Sequence, residues 1–357
     1  MPEKMPGPEF RIVGGASEEE KEKAERNLLG YFGERHLEGL TEEERRELQE
    51  REIPKTESQR AVFVFANEKS NELMKRVGVD FYDVPDRNLH IVPFDIYKKV
   101  QRKESAVATT VQNRQEILVV QEEIGENETL FTDIAFHELM HLKSHYAVQV
   151  EEFPGEKGKK EVKKTTYRSG LTMTSTQQKA EVDGWPHEHF RGLNEAIVAM
   201  HEREFMRDAL RTMPELREEY LWMGSIEGRV KCLQTAQKIG FDPDDVFWVD
   251  KDSDRYNVVS YPRQRKTFMY VLEEIQKELP DQYPNAEALL DKFTEAFFTG
   301  RILELSRITE QAFGEGGFRM LGMMNDDRET PIEVMEALRK MRSRVLSKRR
   351  EEEKQKE

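Results

Sequence analysis

Hydrophobic and polar positions along the chain predict a mixed α/β region in its first half. Short apolar runs typical of β-strands lie at 61–66, 89–94, 106–112 and 116–122. Helical patterns cover 68–77 and the stretch from about Leu130 to Tyr146, which follows the polar GENET segment. Two further strand-like segments flank PGEKGKK at 154–160, which predicts a long hairpin turn. We therefore expect a small mixed sheet that packs on helices.

The flanking regions have a different pattern. Residues 17–57 are acidic, and possible capping boxes at Ser17/Glu20 and Thr41/Glu44 predict two helices. After about Phe190, apolar residues recur at helical spacing, with prolines and glycines between the segments. The predicted fold class is α+β. Its parts are a charged helical extension at 1–58, an α/β subdomain at 59–190, a helical subdomain at 191–330 and a charged helical tail at 331–357.

Composition narrows the classes of function. The 357 residues contain 56 Lys and Arg against 70 Asp and Glu, a formal net charge of −14. This excess of acid argues against nucleic acid and against an anionic membrane surface as partners. Cys232 is the single cysteine, which excludes a disulfide framework and a cysteine zinc cluster within one chain. No stretch has the length and apolarity of a signal peptide or a membrane span, so we expect a cytoplasmic protein.

The segment His-Glu-Leu-Met-His at 137–141 is the strongest chemical signal in the chain. On a helix, positions i and i+4 project from one face, so His137 and His141 can offer two imidazole nitrogens to one metal ion. Glu138 lies beside that face and can accept a proton from water without binding the metal itself. This arrangement suits hydrolysis, because zinc lowers the pKa of a bound water and the carboxylate takes its proton.

A catalytic zinc needs a third protein ligand. In metzincin proteases the motif continues with a glycine and a final histidine. Ser144 and Ala147 occupy those positions here, which excludes that family. His145 is four residues after His141, but on a straight helix it would lie about 12 Å from His137. We interpret His145 as an outer or surface residue.

Glu195 is the preferred third ligand. It lies early in the next strong helical segment, RGLNEAIVAMHEREF, 54 residues after His141. Its carboxylate would complete a set of two histidines and one glutamate with one position open for water or substrate. Asp183 and the His187/His189 pair remain as alternatives.

HELMH followed by Asn-Glu-Ala on a later helix resembles the gluzincin branch of the zincin metallopeptidases, across about residues 59–212. The resemblance implies one zinc ion with His137, His141 and Glu195 as its ligands and Glu138 as the general base. It also implies a mixed sheet whose edge strand, 106–112 or 116–122, binds an extended peptide beside the motif helix.

The chain departs from the gluzincin pattern in one respect. Many members carry an acidic residue one turn after the ligand glutamate, where it orients a ligating histidine. That position is Ala199 here; Glu202, two turns away, is not expected to replace it, whereas Asp133 can contribute. Tyr167 and Arg168 are candidates for stabilising negative charge on the substrate oxygen.

The sequence thus predicts a zinc-dependent metallopeptidase that hydrolyses peptide bonds, with a peptide or protein as its substrate. Two other hypotheses stay open. The chain could be a non-catalytic binding or scaffold protein with a zinc site, or a metal-free helical protein with an accidental motif. The presence of Glu138 favours the enzyme, because a purely structural zinc site needs no base.

Overall fold

A computed structural model describes residues 7–355, except for 34, 36, 37, 39, 102–106, 156–159 and 180–185. The described part combines many helices with three small sheets, which is the mixed helix and strand content expected for an α+β protein. Asp183 lies outside the described residues, as do the side chain of His187 and most of the predicted hairpin tip at 154–160.

The strands form three separate sheets. In the described residues they are β1 (Phe10–Val13), β2 (Leu89–Val92), β3 (Ala108–Val111), β4 (Glu116–Val120), β5 (Tyr146–Pro154), β6 (Lys160–Ser169), β7 (Thr172–Lys179), β8 (Pro186–His189), β9 (Val246–Val249) and β10 (Tyr256–Val258). One sheet has the order β2-β4-β3, with β2 parallel and β3 antiparallel to β4. Another has the order β1-β5-β6-β7-β8, and β9 pairs with β10. Of the two possible edge strands, β3 lies at the edge and β4 is central.

The helices account for most of the remaining chain. Within the described residues they are α1 (Glu18–Phe32), α2 (Glu42–Arg51), α3 (Glu57–Arg76), α4 (Phe94–Gln101), α5 (Gln121–Ile124), α6 (Glu128–Lys143), α7 (Arg191–Thr212), α8 (Arg217–Gly224), α9 (Ile226–Ile239), α10 (Pro262–Glu278), α11 (Ala286–Thr299), α12 (Leu303–Phe313), α13 (Gly317–Leu321) and α14 (Thr330–Lys354). In this described set, no helix is both long enough and apolar enough to cross a lipid bilayer.

The predicted strand at 61–66 is wrong, because these residues belong to α3. Thr56 and Gln59 form a capping box in which each side chain accepts a hydrogen bond from the other backbone N–H. The apolar residues of the run then continue at helical spacing into Leu73 and Met74, and together they bury one face. Capping and tertiary packing therefore outweigh the strand propensity of valine and phenylalanine.

Helix α6 lies at the centre of the fold. Asn127 caps its start, with Oδ1 accepting from the N–H of Leu130 at 2.9 Å. The helix packs against α3, α7 and β3, and its apolar residues join a core cluster that extends from Val62 to Leu338. Being held on several sides fixes the direction in which its polar side chains point.

The N-terminal extension contains the two expected helices, α1 and α2, and a strand that the pattern did not predict. Strand β1 pairs in parallel with β5, which joins the extension to the five-stranded sheet. Helix α1 covers this sheet through Ala24 and Leu28, which pack in one cluster with Tyr146 and Val148. The first helix is therefore packed on the fold rather than solvated on all sides.

Candidate metal centre

The two histidines of the motif project from consecutive turns of α6 towards α7. Their ring centroids are 4.9 Å apart, and His137 Nε2 lies 3.2 Å from His141 Nε2. Glu195, in the first turns of α7, places Oε2 3.2 Å from His141 Nε2 and 3.4 Å from His137 Nε2. The structure thus brings together the three residues proposed as ligands.

These three atoms form a nearly equilateral triangle, which is the arrangement that a shared metal ion requires. For a tetrahedral ion with bonds of 2.0–2.1 Å, ligand atoms are separated by about 3.3–3.4 Å. The observed separations of 3.2–3.4 Å agree with that value. His137, His141 and Glu195 could therefore hold one metal ion. Two imidazoles and a carboxylate suit zinc, although other divalent ions accept the same donors.

Behind the centre, the other nitrogen of His137 has its own partner. His137 Nδ1 lies 2.7 Å from Glu202 Oε2, and the Glu202 side chain is fully buried. Ser260 donates to Glu202 Oε1 from its backbone N–H at 3.0 Å and from its hydroxyl at 3.1 Å. The expectation that Glu202 lies too far along α7 to orient a histidine is wrong.

Asp133 extends this contact by one further carboxyl group. Burial raises the pKa of Asp133 well above its usual range, and the charge and hydrogen bond of Glu202 raise it further. A protonated Asp133 can donate to Glu202, so one carboxylic acid, one carboxylate and one imidazole form a chain behind the centre. Such partners fix the orientation of a metal ligand and increase its basicity.

The protonation of the proposed ligands follows from their mutual contacts. Burial opposes a charge on His137, but hydrogen bonds to Glu195 and Glu202 hold its pKa well above the usual range. Burial would likewise raise the pKa of Glu195, yet the neighbouring imidazoles of His141 and His137 lower it. Glu195 is therefore a carboxylate at neutral pH, and a metal ion that binds here would displace the proton of His137.

Glu138 faces the open side of the centre. Its Oε2 lies 2.8 Å from the hydroxyl of Thr110, on edge strand β3. The cleft at this point has a volume of about 670 Å³ and is bounded by β3, by β6 and β7, and by the ends of α6 and α7. A ligand that lies along β3 would thus pass directly over Glu138.

Tyr261 is a residue of the cleft that the sequence pattern did not reveal. Its backbone is in the left-handed region, with φ +52°, immediately before α10. Its ring stacks on that of His137, with centroids 6.0 Å apart and planes inclined by 22°. The charge of Glu195, burial and the charge of Glu138 all raise the pKa of Tyr261, so it keeps its proton and can donate a hydrogen bond. A strained backbone at such a position is typical of functional sites.

The two residues proposed to stabilise the substrate oxygen lie elsewhere. Arg168 is buried and donates to the carbonyls of Gly170 and Gly300. Tyr167 is 36% exposed, and neither residue contributes to the lining of the cleft. His145 lies beyond the end of α6, and burial lowers its pKa to about 4. The geometry favours Tyr261 over Tyr167 and Arg168 for this role.

Comparisons with protein-family models, with curated proteins and with solved structures found no match.

Proposed function

We propose that this protein is a zinc-dependent metallopeptidase with a gluzincin-like zincin fold. The observation that carries the proposal is the convergence of His137, His141 and Glu195 on one point, with Glu138 beside it in an open cleft. A purely structural zinc site is usually closed by four protein ligands, whereas this set leaves a position free for substrate. The small mixed sheet with β3 at its edge suits an extended peptide.

Bound at this set, a zinc ion would act as a Lewis acid and lower the pKa of water. The side chains around this set then have distinct roles. Glu138 accepts the proton of the attacking water and passes it to the leaving amine. Tyr261 donates to the developing oxyanion, and Glu202 holds the ring of His137 in place. Strand β3 aligns the substrate backbone above Glu138.

The proposal is tested by metal content and by cleavage of unfolded casein. We expect one zinc per chain in the wild type, none in His137→Ala and strongly weakened binding in Glu195→Ala. Glu138→Gln should keep its zinc and lose cleavage by about 10²–10⁴-fold, because only proton transfer is removed. Glu204→Gln, an exposed change on α7, is the matched control and should behave as wild type.

Two outcomes would overturn the proposal in different ways. Wild-type protein that holds one zinc but cleaves neither casein nor a peptide library would indicate a binding or scaffold protein. Wild-type protein that does not bind zinc, or His137→Ala with unchanged zinc content, would mean that the motif is accidental.

A further inference from the structure

A second pocket, of about 220 Å³, opens beside the cleft on the side of α1. It shares Asn113, Thr165 and Thr166 with the cleft lining, so the two spaces adjoin. A molecule that occupies the cleft would therefore lie next to this pocket, here called the α1 pocket.

The α1 pocket has one apolar side within a lining that is otherwise polar. Ala24 and Leu28 of α1 and Tyr146 and Val148 of β5, which pack in one cluster, form this side. Since a water molecule occupies about 30 Å³ in the liquid, 220 Å³ corresponds to roughly seven heavy atoms. This is the size of one large aliphatic or aromatic side chain.

The distance from Thr110, on edge strand β3, to Asn113, in the turn after that strand, gives the position of that side chain in a substrate. Thr110 contacts Glu138, and Asn113, at the boundary of the α1 pocket, is three residues further along the chain. At a rise of about 3.3 Å per residue, this separation is at most about 10 Å. An extended peptide would cover it with two or three residues, counted from the bond above Glu138.

The edge of the α1 pocket is basic. Arg114 and Lys164 both contribute to its lining, within a chain of net charge −14. Arg114 Nε is 3.6 Å from a carboxylate oxygen of the buried Glu116. Burial and the nearby charge of Lys23 lower the pKa of Lys164, and the Glu20 carboxylate raises it by less, so an added anion would be favourable there. An acidic residue next to the buried side chain would supply that anion.

We propose that α1 closes a specificity subsite of the cleft. The α1 pocket takes a large apolar side chain of an extended peptide, two or three residues from the bond to be cleaved, and Lys164 and Arg114 favour an acidic neighbour. The inference rests on the proposed function of the same cleft, and it gives the N-terminal helix a role in substrate selection.

Cleavage-site profiling of a proteome-derived peptide library by the zinc-loaded full chain tests the subsite. We expect Phe, Tyr, Leu or Met to be enriched at one position two or three residues from the cleaved bond, with Asp or Glu adjacent. Asn27→Trp, which fills the α1 pocket from its lining, should reduce that apolar preference at least tenfold. Leu29→Trp, on the exposed side of the same helix, should not.

A second pair of variants tests the basic edge. Lys164→Glu should abolish or reverse the preference for an acidic neighbour, whereas Lys163→Glu, the adjacent residue of β6 outside the pocket lining, should leave it unchanged. Thermal unfolding of all four variants checks that each is folded. Active wild-type protein with no apolar preference, or with a preference that Asn27→Trp and Lys164→Glu leave intact, would overturn the subsite while the proposed function stands.

Peptide binding keeps the inference testable if no cleavage occurs. Fluorescence anisotropy on zinc-loaded Glu138→Gln compares labelled peptides that differ only by Phe or Ala at the subsite position. Tighter binding of the Phe peptide that disappears in Glu138→Gln/Asn27→Trp supports the subsite without turnover. Equal binding of both peptides contradicts it, and absence of cleavage by wild type contradicts the proposed function separately.

Discussion

Replacement of Glu202 by glutamine should weaken zinc binding although Glu202 is not one of the proposed ligands. The carboxylate accepts from His137 Nδ1 at 2.7 Å through one oxygen and from Ser260 through the other. Glutamine has only one oxygen, so its amide N–H₂ must face one of these two donors inside a fully buried site. Loss of an outer carboxylate of this kind lowers metal affinity about 10–100-fold, or about 1.4–2.8 kcal/mol.

Competition with a fluorescent zinc chelator at pH 7 measures this change. Glu204→Gln removes the same charge from an exposed position on the same helix and is the matched control. We expect a 10–100-fold weaker affinity for Glu202→Gln and an unchanged affinity for the control. Equal zinc affinities in wild type and Glu202→Gln would refute the reasoning. An equal loss of zinc affinity in Glu202→Gln and Glu204→Gln would also refute it, because the contact with His137 would then have no effect.

Two other substitutions have clear expected outcomes. Tyr261→Phe keeps the ring that stacks on His137 but removes the hydroxyl. The kcat for peptide cleavage should therefore fall about 10²–10³-fold, with KM and zinc affinity little changed. An unchanged kcat would exclude the role of Tyr261 at the oxyanion. Burial raises the pKa of Glu116 from 4.5 to about 7, so the fold loses stability as pH rises from 4.5 to about 7, by about 3 kcal/mol in total. In urea unfolding, Glu116→Gln should therefore be more stable than wild type at pH 8 and equal to it at pH 4, and equal stability at pH 8 would contradict this.

The parts of the site that the sequence predicted depend on local geometry. Helical spacing alone places His137 and His141 on one face of α6, and the apolar positions around Glu195 place it on a helix that packs nearby. Glu202 and Tyr261 were missed for different reasons. The role of Glu202 depends on its contact with His137, which lies 65 residues earlier in the sequence, on another helix. The left-handed backbone of Tyr261 has no sequence signal comparable to a glycine.

The fold shows the same limit. The hydrophobic pattern predicted β2, β3, β4 and α6, because each of these elements is recognisable from the apolar residues of its own segment. Strand β1 is only four residues long, and its partner β5 is more than 130 residues away, so no local pattern reveals the pairing. As a result, the sequence alone did not indicate that α1 packs over the sheet beside the cleft.

The position of Glu202 has a geometric explanation in the spacing of residues on α7. Seven residues separate Glu195 from Glu202, which is nearly two full turns and about 10.5 Å of rise. The imidazole of His137 bridges them, with Nε2 facing the first carboxylate and Nδ1 facing the second. Ala199 lies one turn from each and is fully buried, and α6 packs against α7. A small side chain between Glu195 and Glu202 suits this close packing of the two helices. An acidic side chain at position 199 would occupy that space. In this geometry the orienting carboxylate therefore belongs two turns after the proposed ligand, which gives the pattern Glu, a small residue four positions later and Glu seven positions later.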